Sequence, residues 1–112
     1  MIEIDAILDA DGTLRACKAS GHAKAGKAGT DIVCAAVSVL MTTALNVLSD
    51  RKGITVHGGV PEKGQMWLEV DYEADGKDFL FAIGVFLING LSSITNEYPK
   101  NCKISISTIT ED

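Results

Sequence analysis

Cysteine, basic charge and long apolar runs are all scarce in this chain of 112 residues. Its three cysteines, Cys17, Cys34 and Cys102, form an odd set with no short repeated spacing. That argues against a disulfide scaffold and fits a reducing, cytoplasmic setting. No Cys-x-x-Cys pair occurs, and Cys17, His22, Cys34 and His57 follow no zinc spacing, so no metal is expected. Gly58-Gly59 lacks a following Lys-Ser or Lys-Thr, which argues against a phosphate cradle, and no cofactor is expected. The longest apolar run, Phe79 to Ile88, is half of the roughly 20 residues that span a bilayer. The start, Met1-Ile2-Glu3-Ile4-Asp5, is acidic and alternating, unlike the basic head of a signal peptide. No membrane association is expected.

Repeats, linkers and low-complexity tracts are missing too, so residues 1–112 read as one domain. A chain of this length buries about two-thirds of its unfolded surface and holds a core without staples. The net charge of −5 lies entirely in the second half, where residues 57–112 carry nine acidic and four basic side chains. Glu69, Asp71, Glu73, Asp75 and Asp78 cluster there. Nucleic-acid binders show a basic stripe instead. A cationic partner is favoured over an anionic one.

What is present is strong patterning. Ile2, Ile4, Ala6 and Leu8 alternate with Glu3 and Asp5, the period of a half-buried strand. Asp9-Ala10-Asp11-Gly12 is a turn signal, and a strand over Leu14 to Gly21 pairs back on the first. Residues 22–30 contain alanine, lysine and glycine with no large apolar anchor, and read as a loop. Asp31 reads as the N-cap of a helix running to about Ser49. Val33, Ala36, Val37, Leu40, Ala44, Val47 and Leu48 form its core stripe, with Cys34, Ser38, Met41 and Leu45 beside it. Gly53 terminates this unit. Strands follow over Ile54–Gly58 and Gln65–Tyr72, then a helix over Phe79–Tyr98. Lys103 to Ile109 is a last strand with Ile104 and Ile106 facing in. The order ββαββαβ predicts an α+β domain, a mainly antiparallel sheet packed against two helices. The second helix is apolar on every side over its first half, so a homodimer contact is expected.

Chemistry concentrates between Gly21-His22 and Asp31-Ile32-Val33-Cys34-Ala35-Ala36. In this reading Cys34 lies in the first turn of a helix, where partial positive charge favours a thiolate. His22, just before the loop, supplies a base. Gly26 and Gly29 give that loop its freedom to close over a ligand, and Lys24 lies on it. Asp31 either caps the helix or orients His22. The Cys34 backbone amide is a candidate oxyanion donor, and a capping carboxylate would compete for it. Ser38 lies one turn beyond Cys34 on the same face. Cys17 and Cys102 read as core or edge residues, and His57 as structural.

Gly21-His22-Ala23, the twelve-residue step from His22 to Cys34 and Asp31-Ile32-Val33-Cys34-Ala35-Ala36-Val37-Ser38 resemble the ribosomal-processing cysteine proteases, the Prp family. The likeness runs over nearly the whole chain, including Tyr98-Pro99. After His22-Ala23 the family commonly carries glycine and aromatic residues, where this chain has Lys24, Ala25 and Ala28. The resemblance implies an endopeptidase with Cys34 as nucleophile and His22 as general base. Its substrate would be the short N-terminal extension of a large-subunit ribosomal protein, the twenty-seventh, with bulky aromatic side chains before the cut. The competing reading is a non-catalytic dimeric module on ribosomal or other basic proteins, with Cys34 merely packed. A thiol redox switch is a third, without a resolving cysteine adjacent in sequence.

Overall fold

The computed structural model describes residues 1–21, 28–60 and 64–109, with backbone alone for 28–31. Ile2, Ile4 and Ala6 of β1 (Ile2–Leu8) are at most 4% exposed, while Glu3 and Asp5 between them face solvent. The period-two pattern is therefore a one-sided strand. β2 (Leu14–Ser20) folds back antiparallel after a turn at Asp9–Gly12, where Gly12 adopts φ +92°. That left-handed geometry is open to glycine at no steric cost. β3 (Ile54–Gly59) and β4 (Gln65–Tyr72) form a second antiparallel pair, and β4 docks antiparallel on β2. β5 (Cys102–Thr108) joins β1 in parallel, giving the order β3-β4-β2-β1-β5. The expected ββαββαβ architecture is the one observed.

Both helices cover one face of this sheet. α2 (Lys77–Glu97) buries Leu80, Gly84, Leu87 and Leu91, a stripe at steps of four, three and four. Each fully buried leucine contributes about 1.5–3 kcal/mol. Gly84 lets the helix backbone approach β2, because a Cβ there would stand 2.9 Å from the Leu14 Cβ. α1 (Ala28–Ser49) runs antiparallel to α2, with Leu40 against Gly90 at mid-length and the Arg51 guanidinium 3.7 Å from the Phe79 ring centre beyond its end.

The buried stripe of α1 is Val33, Val37, Met41, Ala44 and Leu48. Val47, expected inside, is 38% exposed, because it lies about 100° around the helix from Leu48. Ile106 is likewise 49% exposed. It lies on an edge strand, and the N-terminal half of α2 crosses away from β5 toward β2, where Gly84 meets Leu14 and Lys77 pairs with Asp11.

The larger correction concerns where α1 begins. It starts at Ala28, not after Asp31, so Gly29 lies in the helix rather than in a loop and Asp31 is inside the first turn rather than its cap. Alanine is the best helix former, and an acidic residue in the first turn suits the macrodipole without capping.

Opposite the start of β1, a polar clasp closes the sheet's other end. Arg15 reaches Asp9 at 3.1 Å and Asp71 at 2.8 Å, and Tyr72 donates its hydroxyl proton to Asp9. Asp11 pairs with Lys77 and accepts from Thr13.

Candidate active site

Cys34 is the seventh residue of α1 and therefore lies in its second turn. Only the first four amides of an α-helix lack intrahelical partners. The Cys34 amide is thus inside the helical ladder and is not a free oxyanion donor. The macrodipole also fades beyond the first turn, so a nearby imidazole must carry more of any thiolate stabilisation than the first-turn placement implied. Along the helix, positions 31, 34 and 38 fall on one strip at steps of three and four, so Asp31 and Ser38 flank Cys34 by backbone placement. Ser38 is exposed. His22, Lys24 and Gly26 lie outside the described residues.

The three thiols are all free but differ in their surroundings. Cys17 is fully buried in mid-β2, and loss of solvation, reinforced by Asp5, pushes its pKa up to about 12. Cys102 is 1% exposed. Burial raises its pKa too, opposed by a hydrogen bond from the Lys103 backbone and reinforced by the charge of Cys34. Cys34 alone is half-buried, packed on the rim of the core. By access, Cys34 is the thiol that can meet a substrate.

Because α1 runs antiparallel to α2 with Leu40 against Gly90, Cys34 lies toward the end of α2, on the part of the core that holds Cys102 at the start of β5. Cys102 is paired with Ile2, whose amide donates to the Asn101 carbonyl at 2.9 Å. The same corner holds Gly21. A Cβ on Gly21 would collide with the Met1 carbonyl and crowd the Ile2 Cα, and its own amide donates to the Gly64 carbonyl at 3.0 Å. The residue before His22 and the thiol of Cys34 therefore converge on one end of the sheet, where β1 and β5 begin and β2 ends. Cys102, Gly64 and the Met1–Ile2 backbone are participants that pattern reading missed. The signal for one of them was present, since a glycine directly before a candidate base asks why glycine is needed.

His57 is exposed on β3, directly across from Glu69 on β4, and away from this corner. Among the described residues no three His, Cys, Asp or Glu side chains converge as metal ligands.

Residues 1–103 match the family model for cysteine protease Prp. Among solved structures, the essential ribosomal processing protease Prp from S. aureus in complex with a substrate peptide superposes with a TM-score of 0.79 at 21% identity, covering 95% of this chain and 99% of that one. The same S. aureus protease with a covalently linked product peptide gives 0.78 at 22% identity, with the same coverage. SMU.848 from Streptococcus mutans gives 0.80 at 25% identity, covering 97% of this chain and 96% of the other. No curated protein matches the sequence. With a family model spanning all but the last nine residues, this chain belongs to the cysteine protease Prp family.

Proposed function

We propose that this chain is a cytoplasmic endopeptidase in which Cys34 is the nucleophile and His22 the general base. Its substrate is the N-terminal extension of a large-subunit ribosomal protein, the twenty-seventh. The observation that carries the assignment is that Cys34 is the one thiol outside the core, in the corner from which the chain enters residue 22. The Cys34 proton passes to the imidazole, and the thiolate adds to the scissile carbonyl carbon. Collapse of the adduct breaks the C–N bond while the imidazolium protonates the departing amine. Water, deprotonated by the same imidazole, then hydrolyses the thioester and restores the thiol. Asp31 and Ser38 take supporting places on the Cys34 strip, and Lys24 and Gly26 contribute to substrate closure.

The enzyme works as a homodimer joined through the helix layer. Residues 32–49 of α1 and 79–96 of α2 contain no charged side chain. Judged by length and composition, both helices are apolar enough to cross a bilayer, yet each lays one stripe on the sheet. Their outer surfaces form an apolar groove lined by Leu40, Val85, Phe86 and Gly90, with Phe86 70% exposed.

Cleavage of a peptide carrying the aromatic processing site tests the dyad. Wild type should cleave it, and Cys34→Ala and His22→Ala should not, while both variants keep the native melt. Full cleavage by purified Cys34→Ala would exclude the assignment. Peptide binding without cleavage by wild type would instead support a non-catalytic module.

A further inference from the structure

β5 is an edge strand, and among the described residues no strand lies beyond it. It pairs with β1 in one unbroken parallel register. The Ile109 amide donates to the Leu8 carbonyl, and the Asn101 carbonyl accepts from the Ile2 amide. Odd-numbered residues of this segment therefore turn their backbone groups toward β1. These groups alternate in direction along a strand, so the amides and carbonyls of Ile104, Ile106 and Thr108 point outward. Cys102 fits the same alternation, since its outward amide donates to the Tyr98 carbonyl. Natural edges are blunted by proline, bulges or charge. β5 has no proline and no bulge, and its one charged side chain, Lys103, is at its start. The side chains of Ile104 and Ile106 lie on the helix side of the sheet, alongside the buried Ile4 and Ala6. Ile104 is half-buried and Ile106 is 49% exposed, so an apolar shelf adjoins the open edge.

Resting on the endopeptidase reading, we propose that the edge of β5 holds the extension of the substrate as an added antiparallel strand. An extended polypeptide is the partner whose amides and carbonyls match the spacing of such an edge. Direction then selects which part of the substrate lies there. β5 starts at Cys102, on the part of the core toward which Cys34 lies, and runs away from it. A strand antiparallel to β5 runs toward that corner, so residues before the cut lie along the edge and the scissile bond is delivered to the corner. Alternate residues of the extension pair with Ile104, Ile106 and Thr108. Directly opposed side chains share one face of a sheet, so those same residues set their side chains on the isoleucine shelf, which suits bulky apolar groups. The helix layer is the dimer surface in the reading above, which leaves this edge to substrate.

The test measures binding of the processing-site peptide to Cys34→Ala by fluorescence anisotropy, with each backbone amide of the extension N-methylated in turn. Methylation at alternate positions should weaken binding roughly fivefold or more, and at intervening positions less than about twofold. Alanine replacement of peptide side chains should be costly at the same alternate positions. Losses at consecutive positions, or at none, would overturn the proposal. On the protein side, Ile106→Pro removes an outward amide and leaves the β1 ladder intact, so it should weaken binding roughly tenfold. Ser105→Pro, which breaks that ladder, should cost more in melting temperature. Unchanged peptide affinity in folded Ile106→Pro would overturn the proposal, and a lost dimer in sedimentation beside that unchanged affinity would assign the edge to a second copy. Should Ile106→Pro not fold, the methylation scan decides, because it leaves β5 native. Cleavage by wild type without the alternation would overturn the proposal alone. No cleavage of the unmodified peptide by wild type would overturn the endopeptidase reading and the proposal with it.

Discussion

Alkylation of the native protein at pH 7 should label Cys34 and leave Cys17 untouched, by a margin that burial sets. With the Cys17 pKa near 12, only about one molecule in 10⁵ carries that thiolate at pH 7. An ordinary thiol with a pKa of about 8.5 is a few per cent ionised at the same pH. Ionisation alone therefore slows Cys17 roughly 3,000-fold, and its zero exposure denies the reagent an approach. Unfolding offers an indirect route. At a stability of about 5 kcal/mol the unfolded population is about 10⁻⁴, and a few per cent thiolate in that population gives a contribution of similar size. Neither route competes with a thiol that is only half-buried. Peptide mapping by mass spectrometry after a short pulse of iodoacetamide should find the label on Cys34, with Cys17 and Cys102 reacting only after urea is added. Native labelling of Cys17 or Cys102 at a rate comparable with Cys34 would refute the argument that burial separates one working thiol from two structural ones.

Asp11 is held at a pKa of about 2, mainly by its hydrogen bonds with Lys77 and Thr13, against a usual 3.8. A lowered folded pKa stabilises above the unfolded value and is lost as pH falls from about 4 through about 2. Asp11→Asn should therefore flatten the pH dependence of urea midpoints in that window, relative to wild type. Gly84→Ala should destabilise by about 1–3 kcal/mol in urea melts, because the new methyl meets the Leu14 Cβ at 2.9 Å where neither backbone yields easily. Gly90→Ala should cost less, since its Cβ meets only the flexible end of Leu40, at 3.0 Å. Phe86→Lys should shift sedimentation from dimer toward monomer without lowering secondary structure content, and an unchanged oligomeric state would remove the helix layer from the interface.

Local alternation and turn chemistry carried much of the fold. Ile2, Ile4 and Ala6 against Glu3 and Asp5 define β1 without any partner in view, and Asp11-Gly12 announces its hairpin. The Asp75-Gly76 start, the length of the segment and Tyr98-Pro99 identify α2 despite its all-round apolar first half. The start of α1 was less legible, because Asp31 is a good cap and an equally good first-turn residue, and only the backbone decides between the two. Ile106 alternates correctly with Ser105 and Ser107 yet stays exposed, since burial on this edge strand depends on how α2 crosses the sheet rather than on the strand's own pattern. In the candidate site, Cys34 and His22 stand out by type and spacing. Contacts among Gly21, Met1, Gly64 and Cys102 do not, because they join residues up to a hundred positions apart. The hairpin brings Gly21 to Met1, but Gly64 arrives through the β2–β4 pairing and Cys102 through the parallel pairing of β5 with β1, which no local signal encodes.

Intact-mass analysis of the enzyme, acid-quenched within the first turnovers of the processing-site peptide, tests the central claim most directly. The account predicts a thioester adduct of the N-terminal fragment that maps to Cys34, disappears on longer incubation and is missing in Cys34→Ala. Turnover with no adduct in wild type, or an adduct on any other residue, would contradict it.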